Sequence, residues 1–373
     1  MINYKKDMIE TVFPFAKNIS FINFAVTYLC NSRCKHCNIW KKYKKNSKLV
    51  KDELTLNEIK KIFESSQYLK HLKKINFTGG EPFLRKDIVD LCGFFINKFP
   101  KAGISIATNA IDTDMIVGRL QSIIENYNPD DLYISVSLDG TEKTHDEIRG
   151  VSNNYNQVIE FIKIIKKDFP SINQGISFTI TPQNYKELLE VYKISKTFGV
   201  NFGPQFAHHS KSYYDNVKNE FKWDVKQLDD IRKMIDFILN DGIKTKNNTQ
   251  SLLRIIGHQV RNIYYVSHMV DFQRNPRFNF KCYSGDHSFF MDPYGNIYPC
   301  IMLDKKIGNI RVNNFSFDKL WFSESAQKIR KWIKDNNCAC WTRCETIPSL
   351  VRDPKILLWS VYKTLINTVS TEK

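Results

Sequence analysis

The sequence contains no run of eighteen uncharged apolar residues, so no segment reads as a bilayer-spanning helix. Its start, MINYKKDMIE, has no apolar stretch ahead of a small-residue cleavage site, and nothing there resembles a secretory signal. Glycine and proline are sparse, at 15 and 12 of 373 residues, against 26 Phe, 17 Tyr and 6 Trp. That balance excludes collagen-like and disordered chains and provides for a large apolar core. Acidic residues are also short, 39 against 55 Lys+Arg, for a formal charge of +16. An excess of this size suits nucleic acid or an anionic surface, but only 13 of the basic residues are Arg. The Lys, Asn and Ile richness equally fits an AT-rich coding sequence, so charge alone assigns no partner. The densest basic run, KKYKKNSKLVK at residues 41–51, reads as a solvated loop. The expectation is a soluble cytoplasmic protein of one large domain plus an appendage.

Nine cysteines without a secretory signal argue against a disulfide framework and for metal or catalytic use, because the cytosol keeps thiols reduced. They are unevenly placed. Three lie at Cys30, Cys34 and Cys37, and five at Cys282, Cys300, Cys338, Cys340 and Cys344. Cys92 stands alone in the helical stretch IVDLCGFFI, where it reads as a small buried hydrophobe.

Between residues 21 and 206, β-type runs alternate with helical periodicity. Strands are expected at 21–27, 74–78, 104–108, 132–138, 175–181 and 201–206, with helices near 56–69, 87–99, 114–127, 155–168 and 185–198. Six strands joined by five helices demand an α/β fold with a mostly parallel sheet and right-handed crossovers. Six units are too few for an eight-stranded barrel, which points to an open, partial one. In such folds chemistry gathers at the carboxyl ends of the strands. The unusual residues fall there: Cys30–Cys37 after the first strand, Gly79-Gly80-Glu81-Pro82 after the second, Thr108-Asn109, Asp139-Gly140 and Thr181 after the next three.

Cys30-x3-Cys34-x2-Cys37 crowds three thiols into eight residues. Such thiolates can grip one metal centre, but an all-cysteine iron–sulfur site needs a fourth ligand, so one position stays open for substrate or water. A structural zinc site completed by His36 or a distant cysteine is the alternative. In GGEP, glycines let a ligand approach the backbone, carbonyls and the Glu81 carboxylate can accept from an ammonium, and Pro82 fixes the turn. With both motifs in view, residues 20–210 resemble the radical S-adenosylmethionine (SAM) enzymes, which carry C-x3-C-x2-C after the first strand of a partial (β/α)6 TIM barrel and GGEP after the second.

The resemblance implies a [4Fe–4S] cluster on Cys30, Cys34 and Cys37, with SAM on its fourth iron. It implies that SAM is cleaved to methionine and a 5′-deoxyadenosyl radical, that this radical takes hydrogen from an organic substrate, and that a donor such as flavodoxin or ferredoxin supplies the electron. It places the methionine amino group at Gly79, Gly80, Glu81 and Pro82. The run VSLDGTEKTHDEIRG, residues 136–150, looks like the segment that many members carry after the fourth strand. There Ser137 and Arg149 are candidates for the methionine carboxylate, a task for a hydroxyl and a guanidinium fork. Thr108 and Asn109 are candidates for the ribose or methionine moiety and His36 for stacking near adenine, while Asp139 either accepts from a ligand or stabilises its turn. A strand-end cap is the alternative for each polar residue.

Cys282-x12-Gly295-x4-Cys300 resembles the opening of the auxiliary-cluster extensions called SPASM and twitch. The full SPASM pattern has seven cysteines, whereas this segment has five, so a shortened version with one auxiliary [4Fe–4S] cluster is expected. Four of Cys282, Cys300, Cys338, Cys340 and Cys344 would ligate it, and zinc is the alternative. The expected organisation is an N-terminal extension (1–20), the barrel core (21–210), a helical connection (211–280) with helices near 227–239 and 251–272, the cysteine-rich domain (281–347) and a C-terminal helix (348–373). In that last helix Leu358, Val361, Tyr362, Leu365 and Val369 fall near one face, for docking on the protein or contact with a membrane surface.

His208, His209, Tyr213, Tyr214 and Asp215, after the sixth strand, are pocket candidates without a catalytic role. Starting the first strand near residue 21 leaves no room for an N-terminal peptide-recognition domain, which weakens a peptide substrate against a sugar, lipid or other small molecule. The competing class is a non-enzymatic zinc or iron–sulfur protein binding nucleic acid through its basic surface. GGEP beside an incomplete triad disfavours it and makes nucleic acid an unlikely partner.

Overall fold

The computed structural model describes residues 19–244, 263–277 and 280–370. They form two compact units. One holds residues 19–222 and Gly285–Lys331, the other the described parts of Trp223–Ser284 and Trp332–Lys373.

The first unit is organised on β1 (Phe21–Thr27), whose seven residues, FINFAVT, are all buried. A near-continuous apolar run of this kind is what an interior parallel strand needs, since helices or strands cover both its faces. Parallel pairing carries the sheet through β2 (Lys74–Gly79), β3 (Gly103–Thr108), β4 (Leu132–Ser137), β5 (Asn173–Ile180) and β6 (Asn201–Phe206). Crossover helices at Leu56–Ser65, Ile88–Lys98, Thr113–Tyr127, Asn154–Asp168 and Leu188–Phe198 match the expected five. Cys92 is fully buried in the second of them. The first begins with a capping box, Thr55 with Glu58. It stops at Ser65, short of the expected Leu69, because Ser66 Oγ and Gln67 N donate to the Asp318 carboxylate and pull the chain off the helical path.

The sheet does not close, as a partial barrel requires. Its order is β6-β5-β4-β3-β2-β1-β7-β8-β9. β7 (Ser288–Met291) pairs parallel with β1, and β8 (Asn296–Tyr298) and β9 (Gly308–Asn309) follow antiparallel. The turn-rich stretch after residue 285 thus extends the barrel's own sheet. Gly295, at φ +80, makes the β7–β8 turn, where a Cβ would lie 2.6 Å from Ile310.

In the second unit, helices Val225–Lys244 and Tyr265–Arg274 are joined by ion pairs Arg232–Asp271 and Arg274–Asp229. The expected helix near 227–239 lies within the first. Of the one expected at 251–272, residues 251–262 fall outside the described residues, as do residues 1–18 of the expected N-terminal extension. The helix Pro354–Ser370 turns Ile356 and Ser360 inward and leaves Leu358 and Tyr362 exposed, so among the described side chains the apolar face expected from spacing is not the buried one. The side chains of Leu365 and Val369 lie outside the described residues. Among the described residues no helix is long and apolar enough to cross a membrane.

Candidate active site

Because every core strand runs the same way, the loops leaving their carboxyl ends meet over one cavity. Cys30, Cys34, His36 and Cys37 line it from the first loop, and Gly79 and Gly80 from the second. Thr108, Asn109, Ser137 and Arg149 follow from the third and fourth. Ser177, Gln205, His208, Tyr213 and Tyr214 complete the far side.

Burial, followed by repulsion from Cys34, raises the Cys30 thiol, and the same two causes push Cys37 up to about 12. Cys30 and Cys37, raised by burial and by the Cys34 thiol, are poor acids and good metal ligands, because a cation removes both penalties at once. Cys34 Sγ lies 3.0 Å from Ser32 Oγ, and Arg149 Nη1 reaches it at 3.7 Å. These residues fit an iron–sulfur cluster bound at Cys30, Cys34 and Cys37.

The cysteine loop is held from both sides. Arg33 N and Lys35 N donate to the carbonyls of Arg149 and Ile148. Opposite, Asn216 Nδ2 donates to the His36 and His208 carbonyls, both at 2.8 Å, and Asn38 N donates to Tyr214 O. At its base, the Glu53 carboxylate accepts from Thr27 Oγ1, Tyr28 N and the Tyr43 hydroxyl. Neither Asn216 nor Glu53 carries a sequence signal of this role, since each is a single polar residue whose key partners lie far away along the chain.

Gly79 and Gly80 also serve a need that was not expected of them. Gly79 sits at φ +126, and a Cβ there would lie 2.1 Å from Thr27 O; at Gly80 it would lie 1.9 Å from Leu29 O. The two glycines let the end of β2 close on the end of β1, through Gly80 N to Thr27 O (2.8 Å) and Glu81 N to Leu29 O (2.7 Å). Tyr213 Oη bonds Thr78 Oγ1 at 2.7 Å and accepts from Gly79 N at 3.0 Å, holding this turn from the loop after β6.

Glu81 and Pro82 lie behind the cavity wall, both buried. The Glu81 carboxylate accepts from Asn109 N (2.7 Å), Thr108 Oγ1 (3.1 Å) and Phe83 N (3.2 Å), tying the second loop to the third. Burial outweighs these bonds and raises its pKa to about 7. Between the ordinary 4.5 and about 7, folded Glu81 keeps a proton that the unfolded chain has released, so stability falls as pH rises through that window, by about 3 kcal/mol in all. Glu81→Gln is expected to flatten this slope in cluster-free protein, measured as the difference between urea midpoints at about pH 5 and about pH 8.

Asp139 is fully buried and does not line the cavity. Of its two expected roles, ligand acceptor or turn support, the observed contacts are internal. Oδ1 accepts from Thr179 N at 2.8 Å, and Oδ2 pairs with Arg149 Nη2 at 2.7 Å. Burial alone would raise its carboxyl, but the guanidinium prevails and holds it below the usual range. Arg149 is therefore steadied by Asp139, with its buried Nε left without a hydrogen-bond partner. Asn109 Nδ2 is engaged with Asn31 Oδ1 at 2.8 Å, which commits part of that side chain to the loop itself. Burial drops the His36 pKa to about 4, so its ring is neutral, and its Nδ1 has no partner. Of the post-β6 residues, His208, Tyr213 and Tyr214 face the cavity. His209 instead stacks on Phe221, and Asp215, at φ +51, offers its carbonyl to Asn38 Nδ2.

The later cysteines are distributed over both units. In the second unit, burial followed by repulsion from Cys282 raises Cys338 to about 11 and Cys340 further, while Cys344 is raised by burial, Glu345 and Cys340. Trp341, between them in sequence, stacks on Tyr265 with ring centroids 6.0 Å apart, and its Nε1 donates to Tyr265 O. In the barrel unit, Cys300 is buried just after β8 and its Sγ accepts from Leu303 N at 3.3 Å. Raised, mutually repelling thiols again suit a metal cluster better than free acids.

Residues 24–194 match the model of the Radical SAM superfamily, and residues 282–345 match that of the iron–sulfur cluster-binding domain SPASM. Among curated proteins, the chain is 24% identical over 324 residues to an AdoMet-dependent heme synthase of Methanosarcina barkeri, covering 83% of each. It is 25% identical over 214 residues to an Fe-coproporphyrin III synthase of the same organism, covering 57% of this chain and 49% of that protein. A pre-heme d1 synthase of Dinoroseobacter shibae is 28% identical over 177 residues, which make up 47% of this chain and 40% of that protein. The chain thus spans half or less of the length of the last two. Among solved structures it is similar to Streptococcus suis SuiB bound to S-adenosylmethionine, with TM-score 0.59 and 17% identity, covering 88% of this chain and 71% of that one. It is also similar to anSMEcpe with bound AdoMet, with TM-score 0.56 and 17% identity, covering 94% and 99%.

Proposed function

From the premise that the chain belongs to the radical SAM superfamily and is an enzyme with a SPASM-type iron–sulfur domain, we propose that it starts its reaction by abstracting hydrogen from a carboxylate-bearing tetrapyrrole. The observation that carries the first part of this reading is the meeting of three thiols, those of Cys30 and Cys37 raised, and the Gly79-Gly80 turn in one cavity. Cys30, Cys34 and Cys37 would hold a [4Fe–4S] cluster, whose chemistry supplies the electron that splits SAM into methionine and a 5′-deoxyadenosyl radical.

The chain's own residues bind and orient. Gly79 and Gly80 present backbone to the methionine amino group, with the buried Glu81 carboxyl behind them fixing the turn through Asn109, Thr108 and Phe83. Arg149, aimed by Asp139, offers a cation for the methionine carboxylate alongside the Ser137 hydroxyl. His36 gives a neutral ring to the adenine side, and Thr108 and Asn109 offer polar groups toward the ribose or methionine. The walls exclude water from a reactive species, as the barrel must. An auxiliary [4Fe–4S] cluster drawing four ligands from Cys282, Cys300, Cys338, Cys340 and Cys344 completes the proposal.

The tetrapyrrole class is supported by the names of the curated relatives, including the one covered along most of its length. A peptide substrate is the second reading, favoured by similarity to anSMEcpe, which has also been solved with AdoMet and a peptide bound. Anaerobically reconstituted protein is to be incubated with SAM, dithionite and either iron-coproporphyrin III or a cysteine-containing peptide. The expected result is 5′-deoxyadenosine in excess of a substrate-free control, with a mass change in the tetrapyrrole. A mass change confined to the peptide transfers the assignment to the second reading, and absence of 5′-deoxyadenosine in every reaction overturns both.

A further inference from the structure

The cavity and the surface outside it differ in charge. From Tyr28 to Lys51 the sequence contains no Asp or Glu. Within the cavity, Arg149 is already matched by Asp139. Arg33, Lys35, Lys41 and Lys44 are absent from the cavity lining, and Arg33, Lys35 and Lys44 are exposed. None of the four is in an ion pair among the described residues.

These cations are grouped, not scattered. The Arg33 guanidinium carbon and the Lys41 Nζ each lie 5.2 Å from the centroid of the Trp40 ring, and Lys44 Nζ lies at 5.8 Å. Trp40 lines the cavity beside the cysteines, so one indole joins the proposed cluster site to the basic surface. The loop after β6 adds to the same face, since Asn219 Nδ2 donates to Lys35 O at 2.8 Å. That bond brings the exposed Lys218 and the 55% exposed Val217 alongside. The same loop also carries the exposed Asp215 and Glu220, the latter paired with Lys222, so the rim is mostly rather than wholly basic. An apolar centre within a rim of predominantly one sign suits protein–protein encounter. Gathering unmatched cations costs the isolated chain, and an acidic partner relieves that cost.

We propose that this face, Trp40 and Val217 ringed by Arg33, Lys35, Lys41, Lys44 and Lys218, is the docking surface for an acidic one-electron carrier protein of the flavodoxin or ferredoxin kind. The inference rests on reading Cys30, Cys34 and Cys37 as cluster ligands. One electron leaves the carrier, a flavin hydroquinone becoming the semiquinone, and one enters the cluster; no bond to the chain forms or breaks. A substrate inside the cavity does not account for these cations, because they stand outside its lining.

The test compares wild type with the triple variant K41E/K44E/K218E, using flavodoxin as probe. Binding is read by anisotropy of dye-labelled oxidised flavodoxin, and electron transfer by stopped-flow bleaching of the cluster with flavodoxin hydroquinone. At low salt the variant is expected to lose at least about tenfold in affinity and in second-order rate, the lower end of electrostatic steering. The wild-type rate should fall steeply with added salt, and dithionite-driven 5′-deoxyadenosine formation should be the same in both proteins. Charge reversal at Lys98, Lys101 and Lys167, toward the opposite ends of the strands, is expected to change neither flavodoxin reading. The proposal is overturned by unchanged flavodoxin binding and rate, by an equal loss in the Lys98/Lys101/Lys167 variant, or by a parallel fall of the dithionite reaction. Weakened coproporphyrin binding with the flavodoxin rate intact overturns it too and assigns the face to substrate. If wild type forms no 5′-deoxyadenosine even with dithionite, the enzymatic reading fails, while the anisotropy still judges the surface.

Discussion

Replacing Cys34 with alanine is expected to abolish dithionite-dependent 5′-deoxyadenosine formation and to lower the iron content of reconstituted protein from about eight to about four, the difference of one four-iron cluster. Cys34 is the central thiol of the triad, the one that repels both neighbours. It is also the one reached by Arg149 and Ser32. Removing it leaves only two of the three thiols, with Arg149 still paired to Asp139, so that corner of the cubane has no ligand. An iron count near four in the wild type would remove the auxiliary cluster. Retained 5′-deoxyadenosine in the variant would remove the triad from its assigned role.

Gly80→Ala is expected to destabilise the protein by about 3 kcal/mol or more, since overpacking adds to the loss of two buried backbone bonds. The added methyl would lie 1.9 Å from Leu29 O, and backbone cannot give way as a side-chain tip can. Relaxing the clash means parting β1 from β2 where Gly80 N and Glu81 N reach the Thr27 and Leu29 carbonyls. The damage enters one residue before Cys30, so loss of iron should accompany the loss of stability. Gly118→Ala is the opposite case. Gly118 lies inside the helix Thr113–Tyr127 with nothing within 4 Å of a Cβ, and alanine there is expected to stabilise by about 0.5–1 kcal/mol. Urea midpoints of the two variants should move in opposite directions, and equal shifts would show that the geometry at Gly80 is not what limits substitution.

The barrel was legible because buried parallel strands announce themselves as short apolar runs ended by Gly, Asp or Asn, and because crossover helices repeat every three or four residues. The expected β1 coincides with the observed Phe21–Thr27, and the other five core strands fall within two residues of theirs. The cavity's cysteines and glycines were legible for a related reason, since their spacing is local. What sequence could not supply were partners distant along the chain. Asp318 ends a helix some 250 positions earlier, Glu53 anchors Tyr28, and Asn216 grips His36. No periodicity records such bonds. The glycine turn was located correctly but for an incomplete reason, because strand–strand closure uses the space that a ligand alone had been expected to need. The C-terminal helix shows the same limit from the other side: spacing found an apolar face, while burial at Ile356 and Ser360 selects another.

The pairing of β7 with β1 has a further consequence for how this chain can be divided. Register Phe21 to Ser288 through Phe24 to Met291 shields the outer edge of the fully buried strand β1. A shortened chain ending near residue 222 would bare that edge, offering unpaired amides and carbonyls to any passing strand. The catalytic half is therefore not a detachable cassette. The cover on that edge comes from residues that follow much later in the chain, and any scheme for exchanging the cysteine-rich tail with that of another enzyme has to leave residues 285–331 in place.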